Sequence, residues 1–290
     1  MPKHIPLRNS SRSLFPVLLL TLGLLTLTAC GTQEAESRNA SADSGAATGE
    51  SATVTSESST ATNPFVLTST TPVSIDEAIP GDLIELGSYE QDGDTDNGPE
   101  TIEWQVLAAE EERILVISRY ILDSRLYNDS QEEMTWETCS LRTWLNEGED
   151  SFRALAFDEE ERSRILSTDL DNAPNPQHAT DAGSSTQDEI FCLSWDELLN
   201  LCGYDEAQIK KNTDYYYLPD NAIATSGTLY AKEQGLYEFG NTGFSWWWLR
   251  GPGIDRTTAM TVYDAGIVDV DGIKVDSLYT GVRPAMWLGR

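Results

Sequence analysis

Histidine is nearly absent from this chain, since its 290 residues include only His4 and His178. A Ser-His-Asp or Cys-His catalytic site in the mature protein would have to use His178, which lies in a loop rich in proline and asparagine. No nucleophile-elbow motif accompanies it, and histidine and cysteine do not cluster as they do in zinc sites. The sequence therefore favours a protein that is not an enzyme, and it predicts no cofactor.

Basic residues are also scarce, with 19 lysines and arginines against 48 acidic residues and a formal net charge of −29. Nucleic-acid binding needs a basic footprint, so no nucleic-acid partner is expected. Adsorption to anionic lipid is disfavoured for the same reason. We interpret the acidic residues as a solvated surface, and cation binding at the cell surface is the alternative.

The first 29 residues form a predicted export signal. Lys3, Arg8 and Arg12 precede an apolar stretch over residues 14–28, which is short for a membrane span. Small residues then lead into Cys30, an order that resembles the lipobox of secreted bacterial lipoproteins. The resemblance implies cleavage before Cys30 and attachment of diacylglycerol to its thiol, which would place the protein at the extracellular face of the cell membrane. A plain cleaved signal followed by a chance cysteine is the alternative.

Residues 30–72 consist mainly of serine, threonine, alanine, glycine and glutamate. Such a composition buries too little apolar surface to offset the entropy of ordering the chain. It predicts a disordered linker between the lipid and a folded domain over residues 73–290. In that domain Cys139, Cys192 and Cys202 are interpreted as buried free thiols, although a Cys192–Cys202 disulfide stays open outside the cytosol.

Apolar patterning predicts strands over residues 83–89, 101–107 and 114–118, in an antiparallel meander. The second strand alternates, and the third is a continuous apolar run typical of a strand covered on both sides. Helical spacing and capping signals then predict helices near residues 141–145, 159–162 and 195–202, the last beginning at the capping box of Ser194 and Glu197. Strands return near the end of the chain, where Asp271-Gly272 predicts a hairpin turn. The fold class expected is α+β, with a single mixed, mainly antiparallel sheet and inserted helices.

Five short blocks carry a resemblance to a known family. They are G-S-Y with I-E-W-Q-V-L (87–89 and 102–107), W-E-T with L-R-T-W-L-N (136–138 and 141–146), T-Q-D-E-I-F (186–191), W-W-L-R-G-P-G (247–253) and V-R-P-A (282–285). Together they resemble an uncharacterised domain of bacterial surface proteins and lipoproteins, common in Firmicutes. Gly251 departs from the serine of the family pattern. The ending is also similar to the C-type-lectin-like fold of sulfatase-activating enzymes, but the cysteines that those enzymes use late in the domain have no counterpart after Cys202.

The tryptophan run at 246–248 and two arginines are the candidate ligand-binding residues. A strand alternates its side chains, so Trp246 and Trp248 would share one face and Trp247 the other. Burial in the core is the favoured interpretation, and an exposed ring that stacks on a sugar is the alternative. Arg250 and Arg283 each precede a proline-containing turn. Their guanidinium groups either lock the ends of the fold or contact an anion or a sugar acid on a lectin-like face.

The loop after the first predicted strand is a weak candidate metal site. Asp92, Asp94 and Asp96 are spaced like the first ligands of a calcium loop, with Glu103 near the twelfth position. The glycine is displaced by one position, however, and Glu103 falls in a predicted strand. A solvated loop is the favoured interpretation, and Ca²⁺ binding is the alternative.

These observations lead to an expected role in binding or display at the cell surface, as a lipid-anchored protein whose ligand is a carbohydrate or a protein. The alternatives are a cell-envelope hydrolase that uses carboxylates and a structural domain of a surface assembly. Paired carboxylates would suit glycoside hydrolysis, but among 48 acidic residues the sequence nominates no pair.

Overall fold

The computed structural model describes residues 63–204, 206–212, 214–238, 240 and 242–290. The predicted signal, Cys30 and the linker up to residue 62 lie outside the described residues. None of the helices within the described ranges combines the length and apolar character that a membrane span requires. The fold is mostly antiparallel β-sheet with a few short helices.

A five-stranded sheet is built around the predicted meander, in the order β1-β2-β3-β14-β5, and all four of its pairings are antiparallel. The meander is confirmed, because β1, β2 and β3 pair in sequence order. Every residue of β3 after Arg113 is buried, as its continuous apolar run predicted. The strands are β1 (Leu83–Tyr89), β2 (Glu100–Ala109), β3 (Arg113–Ser118), β5 (Ile165–Leu166) and β14 (Ala285–Gly289).

The prediction of a single sheet is wrong, because a second, seven-stranded sheet has the order β4-β13-β10-β11-β12-β9-β8. Its pairings are antiparallel except the one between β10 and β13. A separate two-stranded ribbon joins β6 and β7. The strands are β4 (Asp123–Ser124), β6 (Thr168–Leu170), β7 (Thr186–Asp188), β8 (Lys210–Lys211), β9 (Tyr215–Tyr217), β10 (Trp247–Pro252), β11 (Thr258–Val262), β12 (Ile267–Lys274) and β13 (Gly281–Val282).

Within the described residues, five short α-helices connect the strands, and the capping box predicted at Ser194 and the stop predicted at Gly203 are confirmed for the fourth, α4 (Trp195–Cys202). Helix α4 begins after Ser194, whose hydroxyl accepts the backbone N–H of Glu197 while the Glu197 carboxylate accepts that of Ser194. It ends at Gly203, which has a φ of 66°. The helices are α1 (Ser140–Asn146), α2 (Phe152–Ala156), α3 (Glu159–Arg162), α4 (Trp195–Cys202) and α5 (Leu229–Glu233).

The Asp271-Gly272 pair does not form the predicted hairpin, and β12 runs straight through it. Ala259 and Thr261 of β11 pair with Ile273 and Asp269 of β12, so extra residues of β12 bulge between these two pairs. Gly272 has a φ of 73°, and a Cβ there would lie 2.4 Å from the carbonyl oxygen of Ala259. Positive φ and close backbone approach suit a bulge as well as a turn, which is why the dipeptide misled the prediction.

The folded part begins earlier than the predicted boundary at residue 73. Phe65 is buried, and the amide of Gln105 on β2 donates to the carbonyl oxygen of Pro64 at 2.8 Å. The backbone N–H of Thr68 donates to the carbonyl oxygen of Gly81. Residues 63–68 thus pack on the five-stranded sheet. Composition alone placed them in the linker, because it does not register a single buried aromatic residue.

Candidate functional site

The three tryptophans of residues 246–248 divide between the core and the surface. Trp247 and Trp248 are buried, whereas Trp246 is half-buried. Trp247 pairs with Val262 of β11, which pairs with Val268 of β12, and Val268 pairs with Tyr216 of β9. All four side chains of this row are buried, so it faces the core. Because side chains alternate along strands, the neighbouring rows face outwards.

The outward rows assemble an array that we call the aromatic ribbon, defined by Tyr215, Tyr217, Tyr237, Trp246 and Tyr263. Trp246 stacks on Tyr263 with ring centroids 4.3 Å apart, and Tyr263 contacts Tyr215 at 5.6 Å. Tyr215 contacts Tyr217 at 6.4 Å, and Tyr237 contacts Trp246 edge-on at 6.1 Å. The five rings thus form a continuous path across the sheet, half-buried over most of its length and exposed at Tyr237.

A groove of about 450 Å³ continues the aromatic ribbon beyond Trp246. Leu278 and Tyr279 in its wall are 60% and 61% exposed, and Tyr237 beside it is 47% exposed. Large apolar side chains that are this exposed and this close together mark interaction sites more often than scattered ones do. The lining residues are Trp246, Ile273, Lys274, Asp276, Ser277, Leu278 and Tyr279.

Asp269 supports the aromatic ribbon from below. Its carboxylate accepts the hydroxyl hydrogen of Tyr263 at 2.5 Å and the backbone N–H of Gly272 at 3.0 Å. Burial raises the pKa of this carboxyl above its ordinary value, while the hydrogen bond from Tyr263 opposes the rise. Burial, followed by the hydrogen bond to Asp269, also raises the pKa of the Tyr263 phenol far above its usual range. The raised phenol pKa keeps Tyr263 protonated and uncharged. The hydrogen bond to Asp269 holds its ring beside Trp246.

Trp248 is not part of any surface, which corrects its nomination as a ligand-binding residue. Its ring packs against Tyr127 with centroids 5.5 Å apart, and its indole N–H donates to the carbonyl oxygen of Arg125 at 2.8 Å. The segment that carries Arg125 and Tyr127 therefore covers this end of the outward face. The core interpretation is correct for Trp248, and the sugar-stacking alternative applies only to Trp246.

Arg250 is a structural lock, which corrects its nomination as a ligand contact. Its guanidinium makes a bidentate pair with the Glu197 carboxylate at 2.6 and 2.9 Å. It also donates to the side-chain oxygen of Asn172 and to the carbonyl oxygens of Cys192 and Asp171. These five hydrogen bonds use all five donors of the group, and only 3% of the residue is exposed. No donor remains for an anion.

Arg283 is buried as well, so it is also withdrawn as a ligand contact. It donates to the carbonyl oxygens of Ser118 and Ile223 at 2.9 and 3.3 Å. Its guanidinium lies 5.2 Å from the ring centroid of Trp247 and 5.7 Å from that of Phe65. Burial lowers the pKa of the group to about 9, which leaves it charged at neutral pH. It joins the two sheets and the residues that precede β1.

A family model described as a domain of unknown function, DUF6273, matches residues 111–290. The chain belongs to the DUF6273 family. No curated protein matches it, and no solved structure does. The DUF6273 match contains every residue of the aromatic ribbon and its groove, whereas β1 and β2 precede it.

The candidate calcium loop lies outside the DUF6273 match, and its acids are arranged differently from the prediction. The side chains of Asp92 and Asp94 accept backbone N–H groups two residues further along, which is the pattern of a tight polar loop. The carboxylates that converge are those of Glu90, Asp92 and Glu100, whose ligand atoms lie within 4.8 Å of one another. Asp94 and Asp96 are not members of this cluster, and Glu103 instead pairs with Arg119 at 2.8 Å.

In the part of the chain that the structure describes, the three thiols and His178 form no catalytic arrangement with one another. Cys139, Cys192 and Cys202 are free and buried, so the disulfide that the spacing left open is not formed. Burial raises the pKa of the Cys139 and Cys202 thiols to about 12, which makes them poor nucleophiles. His178 contacts the Asp271 carboxylate and ties its loop to β12.

Sequence reasoning missed four of the five members of the aromatic ribbon. Tyr215, Tyr217, Tyr237 and Tyr263 come from three separate parts of the chain, and only the strand order of the sheet brings them beside Trp246. The signal that the sequence offered was the run at 215–217, since three successive tyrosines in a strand put two rings on one face. It did not reveal which strand would lie next to them.

Proposed function

We propose that this DUF6273 protein is a lipid-anchored binding protein at the extracellular face of a bacterial membrane, and that its aromatic ribbon binds carbohydrate. The observation that carries the proposal is the continuous path of rings from Tyr217 to Tyr237, with the adjoining groove. Aromatic faces are apolar at their centre and carry negative quadrupolar charge. The C–H face of a pyranose ring fits such a surface, while its hydroxyl groups remain in water or reach polar groups at the edge.

The half-buried state of the rings supports this role. An aromatic side chain that is held by its neighbours loses little conformational freedom when a ligand binds. Trp246 contacts the rings of both Tyr263 and Tyr237, and the Tyr263 hydroxyl donates a hydrogen bond to Asp269. The platform is therefore preorganised, which suits the weak, extended contacts that a sugar chain offers.

We expect the Trp246→Ala protein to bind oligosaccharide at least about tenfold more weakly than the parent, a loss of about 1.4 kcal/mol. The substitution removes the central ring and breaks the path between Tyr237 and Tyr263. A glycan array of the soluble domain identifies the oligosaccharide, and isothermal titration then measures its dissociation constant for both proteins.

The matched control is Trp287→Ala, because Trp287 is also half-buried but lies on β14 of the other sheet, under the guanidinium of Arg113 at 4.1 Å. It should leave the dissociation constant unchanged. Equal losses in the two variants would mean that general destabilisation, and not ring contact, explains the effect. An array on which the parent binds no glycan would contradict the proposal.

The membrane anchor is a separate part of the proposal, and it rests on the order of charged, apolar and small residues before Cys30. We expect the Cys30→Ala protein to leave the membrane fraction, because the thiol that would carry diacylglycerol is gone. Two acyl-chain attachments give stable anchoring, whereas one gives only marginal binding. Metabolic labelling with an alkyne fatty acid measures the modification, and continued labelling of the variant would refute the assignment.

A protein partner within a surface assembly is the second candidate, because Leu278 and Tyr279 are as exposed as the contact residues of many protein interfaces. We further propose a C-type-lectin-like relationship and an origin among Firmicutes surface proteins. The similarity of the chain's ending supports the first proposal, and the five sequence blocks support the second. An experimental structure that superimposes poorly on lectin-like domains would refute the relationship.

A further inference from the structure

The negative charge around the aromatic ribbon affects which class of carbohydrate the ribbon can bind. The whole chain has a formal net charge of −29, so its long-range field repels anions and attracts cations. Acidic polysaccharides are therefore disfavoured before any contact forms. A neutral chain is unaffected by this field, and a chain with protonated amino groups is drawn towards the protein.

The same bias exists close to the rings. Asp276 is exposed in the wall of the groove beside Trp246. Asp269 pairs with Tyr215 on the neighbouring strand and lies under Tyr263, where it acts through its field because it is buried. Within the described residues, the acids that line the groove, bond to a ring or neighbour a ring residue in the chain outnumber the lysines that line the groove or pair with β9. These acids are Asp214, Glu238, Asp264, Asp269 and Asp276, and the lysines are Lys210, Lys211 and Lys274.

Aromatic faces add a second preference of the same sign. An ammonium group near the face of tryptophan or tyrosine is attracted by the negative quadrupole of the ring. The ribbon offers this contact because Trp246 and its tyrosine neighbours are not fully buried. Hydroxyl and N-acetyl groups gain no such attraction.

We infer that the aromatic ribbon and its groove prefer a glycan with free, protonated amino groups, such as a de-N-acetylated amino-sugar polymer. The inference rests on the proposed carbohydrate-binding function and names the ligand class. The sugar rings stack along the path from Tyr217 to Tyr237, and the amino groups lie over the ring faces and towards Asp276.

The test compares two oligosaccharides of equal length, the hexamer of glucosamine and the hexamer of N-acetylglucosamine, by titration calorimetry in mildly acidic buffer of low ionic strength. The glucosamine hexamer should bind at least about tenfold more tightly. The difference should shrink as salt is added, because exposed charges are screened beyond a distance of about 10 Å at roughly 0.1 M salt. Asp276→Asn should reduce the preference. The matched control Glu111→Gln removes an exposed acid from the β2–β3 turn of the other sheet and should not change it.

The outcomes separate this inference from the function on which it rests. Equal affinity for the two hexamers would overturn the preference for amino groups and leave carbohydrate binding intact. Glucosamine binding that survives Trp246→Ala would place the ligand on the general acidic surface, which also overturns the inference. Binding of neither hexamer, together with an empty glycan array, would overturn both. Tighter binding of an oligogalacturonate, an acidic chain, would overturn the charge argument directly.

Discussion

Replacing Arg250 by methionine is expected to lower the free energy of unfolding by about 3–5 kcal/mol. Arg250 makes five hydrogen bonds, and its removal leaves the Glu197 carboxylate with only the backbone N–H of Ser194 and the carbonyl oxygens of Cys192 and Asp171 without the Arg250 donors. A charge that stays behind without a partner costs far more than the intact pair contributed. Urea denaturation followed by tryptophan fluorescence measures the difference.

Two further variants isolate the cause of this loss. Arg250→Lys keeps the charge but cannot reproduce the bidentate fork, so its loss should fall between those of the parent and Arg250→Met. Glu197→Gln keeps the capping contact with Ser194, because glutamine also serves at this position of a capping box. It removes the charge, and a double-mutant cycle with Arg250→Met then gives the coupling energy between Glu197 and Arg250.

Arg113→Met, in an exposed ion pair with Glu110, is the control and should barely shift the midpoint of urea denaturation. An equally small effect of Arg250→Met would refute the stabilising role assigned to Arg250.

Trp248→Ala is expected to destabilise the fold by about 3–5 kcal/mol, because it opens a large cavity in a packed core. The side chain is fully buried, contacts Tyr127 and donates its indole N–H to the carbonyl oxygen of Arg125. The cost therefore includes lost dispersion contacts and one unpaired carbonyl group. Thermal unfolding monitored by circular dichroism gives the shift in melting temperature.

Trp246→Ala is the matched control for this second variant, since the two residues lie two positions apart and differ in burial. We expect Trp246→Ala to cost much less stability, and Trp248→Ala to weaken oligosaccharide binding only in proportion to the unfolded fraction. Comparing the two variants thus separates an effect on stability from an effect on binding. A melting temperature that falls equally in both variants would contradict the assignment of Trp246 to the surface.

Local signals in the sequence predicted the local structure well. The meander of β1–β3 followed from apolar alternation in β2 and a continuous apolar run in β3, and α4 followed from Ser194, Glu197 and Gly203. Each of these depends on residues within a few positions of one another. Asp271-Gly272 failed because a bulge and a turn make the same demand on the backbone, and the partner strand decides between them.

The candidate site was predicted less well, because it depends on contacts between distant parts of the chain. Arg250 and Arg283 stand in the same local pattern whether they lock the fold or bind an anion. Only the position of Glu197 for the first, and of the Ser118 carbonyl for the second, decides the matter. Trp246 lies directly before β10 and Trp248 lies within it, yet a loop from residues 125–127 covers Trp248 and leaves Trp246 half-buried. No spacing within the tryptophan run encodes that loop.

The hairpin of β1 and β2 limits where the DUF6273 segment of this chain can be separated from the residues that precede it. The family match begins at residue 111, but β3 at residues 113–118 has β2 as its whole neighbour on one side. A DUF6273 segment transplanted without its upstream hairpin would present a bare apolar strand edge, the kind that recruits other chains. It would also lose Phe65, which covers Arg283. Recombination between such proteins would therefore succeed only where the crossover point lies upstream of residue 63, or where another element takes over the role of the hairpin.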